Sequence, residues 1–275
     1  MSLSKILYVC QEMTPYLPAS DIATGVRELL QAMYERGFEP RTFMPKYNCI
    51  NERRNQLHEV IRLSGMNLII GDNDHQLVIK VASIPSIRAQ VYFIDNDDYF
   101  SRKATTVDET GRMFEDNDER AIFFARGVLE TVKKLRWQPD IIHCVGWFSA
   151  VVPIYLRSTF ADDPMFRDVK VVFSLFGDGF RGSLDKGFRA KMEEEGVTGG
   201  GIALLDDPDY AHLLEYVLTD VDGVVLEAQP DAATEKLIRN SGRRVLKHYG
   251  EDAADWDQYK RFYDELEGEH AKTVK

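Results

Sequence analysis

The sequence predicts an α/β protein built on a doubly wound, mostly parallel sheet, with an antiparallel hairpin inserted and a C-terminal helix packing back. Three observations predict it. Short apolar runs alternate with stretches of helical spacing along most of the chain. The interval from Val60 to Ile94 shows polar turns and period-two alternation instead. The final segment, Ala253 to Glu267, gathers Trp256, Tyr259, Phe262, Tyr263 and Leu266 on one side of a charged helix.

The elements follow in order. Lys5 to Cys10 is a compact apolar strand, and Gly25 to Arg36 is a helix with Val26, Leu29, Leu30 and Met33 on one face, stopped by Gly37. Pro40 to Met44 is the next strand, and this β-α-β opening implies a parallel pair with a crossover helix. Turns at Ser64-Gly65 and Gly71 to Asp74 then divide an antiparallel hairpin or small sheet, in which Leu77, Ile79 and Val81 share a face. The longest helix runs from Asp116-Asn117, both N-cap candidates, to Leu135, with Lys133-Lys134 suiting its negative end. Strands Ile141 to Cys144, Val169 to Leu175 and Gly223 to Leu226 follow, with helices Phe148 to Leu156, Tyr210 to Leu218 and Ala232 to Asn240 between and after them. We read residues 1–250 as one domain and 251–275 as a terminal crossover-type helix packed on it.

Bulk properties exclude several classes. A net charge of −11 opposes non-specific nucleic-acid binding and docking on anionic membranes. No run of eighteen apolar residues exists for a membrane helix, and no targeting segment precedes the first strand. The three cysteines, Cys10, Cys49 and Cys144, fit neither a disulfide framework nor a zinc site, which suggests a cytoplasmic protein.

Residue chemistry alone gives few site candidates. No Gly-x-Gly-x-x-Gly follows the first strand, and no Walker-type loop occurs. Gly177-Asp178-Gly179-Phe180-Arg181-Gly182 follows a strand as phosphate loops do, yet Asp178 would repel a phosphate, so a turn is the better reading. Gly199-Gly200-Gly201 reads as a flexible connector. Asp72 to His75 and Asp95 to Asp98 lack the spacing of a calcium loop and are read as turns and caps. No metal, cofactor or catalytic residue is assigned. His143 ends a buried strand, at the carboxyl edge where open α/β sheets bind ligands.

Several segments together resemble the N-terminal, Rossmann-like domain of bacterial glycogen and starch synthases. They are Lys5 to Tyr16, Met44-Pro45-Lys46-Tyr47, Val91 to Asn96 with Tyr99-Phe100, Asp116 to Ala121, Trp137 to His143, and Phe173 to Gly182. The resemblance runs from about Lys5 to Leu226 with segment order preserved. It implies glucosyl transfer from ADP-glucose to an α-1,4-glucan, that is, a hexosyltransferase. By position it implies substrate-binding roles for Tyr16, Asp116, Asn117, Arg120, His143 and Trp147.

The departures fall at the chemistry. Where the family has Lys-x-Gly-Gly-Leu, this chain has Pro18-Ala19-Ser20-Asp21-Ile22, which removes an N–H and adds a negative charge. Its Val145-Gly146-Trp147-Phe148 replaces the family's His-Asp-Trp-His, and Phe176-Gly177 replaces His-Asn. The family's second domain, which supplies most donor contacts, has no counterpart in these 275 residues. The expectation is therefore a degenerate, single-domain synthase relative, weak or inactive alone. The alternatives are a non-catalytic glucan-binding or regulatory module acting with a full-length synthase, and an enzyme with another donor or acceptor. Expected partners are an α-glucan or nucleotide sugar, and a protein partner or second copy.

Overall fold

A computed structural model describes residues 4–273 other than 85 and 88. The strands are β1 Lys5–Cys10, β2 Glu39–Pro45, β3 His58–Glu59, β4 Met66–Ile70, β5 Asn73–Ile84, β6 Ala89–Asp95, β7 Ile141–Val145, β8 Lys170–Leu175, β9 Gly223–Leu226 and β10 Arg244–Lys247. The α-helices are α1 Asp21–Glu35, α2 Asp97–Phe100, α3 Asn117–Leu135, α4 Val151–Arg157, α5 Phe188–Glu194, α6 Tyr210–Asp220, α7 Ala232–Ser241 and α8 Trp256–Thr273.

One sheet runs in the order β10-β9-β8-β7-β1-β2-β6-β5-β3, with β4 paired to β5 off this path. From β10 through β6 every pairing is parallel. Strand order reverses at β1, which has β2 on one side and β7 on the other. That reversal is the switch point at which the loops after two neighbouring strands diverge to opposite faces and leave a crevice. β1 and β7 are buried along almost their whole length. Strands covered on both faces read as unbroken apolar runs, which is why their sequences show no alternation.

The antiparallel insertion is smaller than the sequence suggested. β6 pairs in parallel with β2 and belongs to the main sheet. The long β5 does double duty. Its first half, Asn73 to Leu77, forms the hairpin with β4, and its second half, Val78 to Ile84, runs antiparallel to β6. Leu77, Ile79 and Val81 are buried as the alternation requires. α3 can lie close over β5 and β6 because Gly127 has no side chain; a Cβ there would stand 3.0 Å from both Ile94 and Leu77.

Other elements shift for local reasons. α1 begins at Asp21, four residues before Gly25, because the Ser20 side chain accepts from Ala23 N at 3.0 Å and so caps the helix there. Gly199 to Gly201 do not form an open connector, since a 3-10 segment runs from Gly200 to Asp206. β10 and α5 went unread in the sequence because they are short and exposed or charged. No helix among the described residues is long and apolar enough to cross a membrane.

α8 does pack back on the sheet. Phe262 lies against Gly223, where a Cβ would be 2.6 Å from its ring. Arg36 pairs with Asp257 at 2.7 Å and Ser4 donates to Glu267 at 2.7 Å. The helix covers a polar row that crosses the sheet. His143 Nδ1 meets the Tyr263 hydroxyl at 2.6 Å and its Nε2 meets Ser174 Oγ at 2.7 Å. Farther along, Tyr259 donates to Glu227, whose other oxygen lies 2.8 Å from His248 Nδ1.

Candidate ligand cleft at the strand switch point

A cleft of about 660 Å³ opens beyond the carboxyl ends of β1, β7 and β8. Its floor comes from the residues that leave those strands: Gln11 after β1, Trp147 after β7, and Asp178 and Phe180 after β8. Its outer wall is the segment Thr106 to Glu115, which precedes α3.

The floor is tightly built. Gly146 turns the chain out of β7 with φ +81°, and a Cβ there would lie 2.6 Å from Gln11 Oε1. That oxygen accepts from Phe148 N at 3.2 Å, so Gln11 ties the two loops at the switch point together. Trp147 meets Phe180 edge-on at 4.9 Å and Phe148 at 5.3 Å. Asp178 accepts from Trp147 N at 2.9 Å through Oδ2, while its buried Oδ1 has no hydrogen-bond partner. Burial raises the Asp178 carboxyl above the usual range, against hydrogen bonds that lower it. Gly146→Ala should cost about 1–3 kcal/mol, from the strained φ and the contact with Gln11, measurable as a lowered denaturation midpoint.

Of the six residues singled out from sequence, only Trp147 lines this cleft. His143 points the other way, wholly buried beneath α8 and closed off from a ligand; burial pushes it down to about 3, so its imidazole is neutral. Tyr16 is buried edge-on against Phe93 at 4.9 Å, and its hydroxyl is pushed up to about 12. Asp116, Asn117 and Arg120 do come together, but behind the cleft wall. Asp116 gives no side-chain cap to α3 and instead holds Arg102 bidentately at 2.7 and 2.6 Å. Asn117 and Arg120 have no exposed surface.

The missed residues had a weak signal. Gln11 directly follows β1 and Asp178 is the third residue after β8, the positions where ligand contacts gather, but in the sequence Asp178 reads only as a poor phosphate contact. The wall came from a polar stretch without periodicity.

The two acidic loops are occupied by the protein's own groups. Asn96 caps α2, Asp95 pairs with Lys80 at 2.9 Å, and Asp98 lies 2.8 Å from His75 Nδ1. Among the described residues one group with converging metal-type donors exists, Asp207, Asp209 and His212, and there Asp209 already caps α6.

The place an anion would take at the α1 N-terminus is closed as well. Ser20 occupies the cap and Asp21 the first turn. The Phe176 ring presses so closely on Gly25 that a Cβ there would be 2.9 Å from it. Phe148 is fully buried, its ring 5.8 Å from that of Phe124.

Comparison with known proteins adds to this geometry. Residues 5–216 match the family model described as the starch synthase catalytic domain. A glycogen synthase of Chlorobium chlorochromatii is 38% identical over 271 residues, covering 92% of this chain and 54% of that protein. A glycogen synthase of Chlorobium limicola is 39% identical over 193 residues, covering 70% of this chain and 40% of that protein. The chain thus spans about half the length of the curated relatives it matches. Among solved structures, the catalytic domain of starch synthase IV from Arabidopsis thaliana, bound to ADP and acarbose, superposes with a TM-score of 0.70 at 16% identity. The match covers 90% of this chain and 51% of the plant protein, and at that identity it shows a shared fold.

Proposed function

The chain belongs to the glycogen/starch synthase family, and from that premise we propose that it holds an α-glucan in the switch-point cleft and transfers glucose weakly or not at all on its own. The observation that carries this reading is the pair of rings Trp147 and Phe180, which line the cleft 4.9 Å apart. The C–H faces of a sugar pack on such aromatic rings.

A nucleotide diphosphate suits the cleft less well. Its lining places the two arginines Arg112 and Arg181 against the three carboxylates Glu115, Asp178 and Asp185. Arg112 is already paired with Glu115 at 3.0 Å. Departure of a nucleoside diphosphate needs preorganised donors and cations, and removing one such donor costs on the order of 10²–10³ in rate. At the α1 N-terminus and at Phe176 the donors that could serve are blocked or absent. The plant structure's ADP and acarbose mark the two ligand chemistries to compare.

Titration calorimetry with maltoheptaose should give binding that Trp147→Ala weakens about ten-fold or more, the loss of one good apolar and hydrogen-bonded contact. ADP-glucose should bind more weakly, and labelled glucose should not pass from it to glycogen at a rate comparable with an active synthase. Steady glycogen extension by the purified chain would overturn the inactive reading. Flat traces with maltoheptaose would overturn the glucan reading and leave a protein-directed role beside a synthase.

A further inference from the structure

We propose that Arg120 is a positioning residue for the cleft: with Asn117 it clamps two successive carbonyls and so fixes the hairpin that forms the cleft's outer wall. The proposal rests on the switch-point cleft being a ligand site, and the experiment below separates the two.

The wall is a small hairpin in the 101–116 connection between α2 and α3. Val107 and Met113 form an isolated antiparallel bridge, Asp108 N donates to Arg112 O at 2.9 Å, and Phe114 N donates to Thr106 O at 3.3 Å. The Asp108 side chain accepts from the backbone N–H groups of Thr110 and Arg112, closing the turn. These bonds shape the hairpin internally. They do not say where it sits relative to the sheet.

That placement comes from the first turn of α3. Arg120 Nε donates to Tyr99 O at 2.8 Å, one terminal nitrogen donates to Asn117 Oδ1 at 2.6 Å, and the other to Thr105 O at 2.7 Å. Asn117 Nδ2 donates to the next carbonyl, Thr106 O, at 2.8 Å. One planar fork therefore joins the end of α2, the start of α3 and the base of the hairpin. Arginine spreads its donors over a rigid planar fork, whereas the three donors of a lysine radiate from a single nitrogen.

The setting indicates that this geometry is specified. The guanidinium has no exposed surface and lies 5.4–5.9 Å from the ring centres of Tyr47, Phe100, Phe114 and Phe148. Among the described residues no carboxylate hydrogen-bonds to it; the nearby Asp116 is occupied by Arg102. A buried cation without an anionic partner is costly unless its hydrogen bonds are fully and correctly made. If the hairpin moved, Arg120 would lose its bond to Thr105, so the charge holds the wall in one position. Phe114 links the two roles, since it lines the cleft and lies beside both Arg102 and Arg120.

Hydrogen exchange and maltoheptaose calorimetry on the whole chain test this, with R120M, R120K and N117A. In R120M the Asp108 and Phe114 amides should exchange about ten-fold faster or more, as expected for loss of charge-assisted bonds, while amides of β1 and β7 stay protected. Maltoheptaose affinity should fall by a similar factor. R120K keeps the charge but not the fork, so its hairpin should exchange like that of R120M. Unchanged hairpin exchange in R120M, or full rescue by R120K, overturns the proposal. If R120M fails to fold, N117A decides, because it removes the Thr106 bond and one Arg120 partner while leaving the Arg120 bonds to Tyr99 and Thr105, and should still raise hairpin exchange. If the wild-type chain binds no maltoheptaose, the glucan reading fails while the exchange result still decides the role of Arg120.

Discussion

Tyr263→Ala is expected to destabilise the protein by about 4 kcal/mol or more, seen as a fall of roughly 10 °C in the calorimetric midpoint. The ring has no exposed surface and packs near His143 at 5.9 Å, Phe38 at 5.9 Å and Tyr259 at 5.7 Å. Truncating a buried aromatic ring to alanine costs about 3–5 kcal/mol through lost transfer energy and the cavity left behind. The change also leaves His143 Nδ1 without its hydroxyl partner, a further penalty of about 1–3 kcal/mol. Tyr263→Phe separates the two contributions, because it keeps the ring and loses only the hydroxyl. Lys260→Ala is the control. Its pair with Asp264 is half exposed, and such pairs contribute about 1 kcal/mol or less. If Tyr263→Ala melted with the control, residues 251–275 would be an appendage, and our proposal that they complete a unit with 1–250 would fall.

That contrast shows how much of the molecule the sequence made readable. Where burial is two-sided, as in β1 and β7, an uninterrupted apolar run marks the strand whatever its neighbours. Where one helix face is buried, as in α1 and α8, the 3.6-residue period gives both the helix and its inward residues. Elements that bury little leave no such trace. β10 has three exposed residues in four, and the cleft wall is held by side-chain bonds to carbonyls rather than by an apolar face.

The site was less legible than the fold, for a related reason. The resemblance marked Asp116, Asn117 and Arg120 at the start of the long helix but carried no information on side-chain direction. In a strand, one step reverses that direction. His143 therefore turns under α8, whereas the adjacent Cys144 lies near Ser149 on the β7–α4 side. The Asp178 carboxylate stood in plain view in the sequence. Its role depends on Trp147 N binding one of its oxygens, a long-range relation between two loops.

The same polar row under α8 predicts a pH dependence. His143 is buried and neutral, pushed down to about 3 by desolvation, whereas in the unfolded chain it titrates near 6.5. Below about pH 6.5 the unfolded chain binds a proton that the folded chain refuses, so the unfolded state binds more protons and stability falls with pH. The contribution is fully present above pH 6.5 and is lost down to about pH 3, at about 1.4 kcal/mol per pH unit for one proton. Asp220 works in the opposite sense. Burial pushes its carboxyl up to about 6, so between about pH 6 and 4 the folded state takes a proton before the unfolded chain does. The raw stability curve therefore sums opposing slopes, and the informative quantity is a difference. Urea midpoints for the wild type and His143→Gln, compared at pH 7 and pH 5, should converge toward the acid side by about 2 kcal/mol. Glutamine does not titrate yet keeps a donor and an acceptor for Tyr263 and Ser174. Parallel curves for the two proteins would mean that His143 is protonated in the folded state, and that the row beneath α8 admits a charge which its burial argues against.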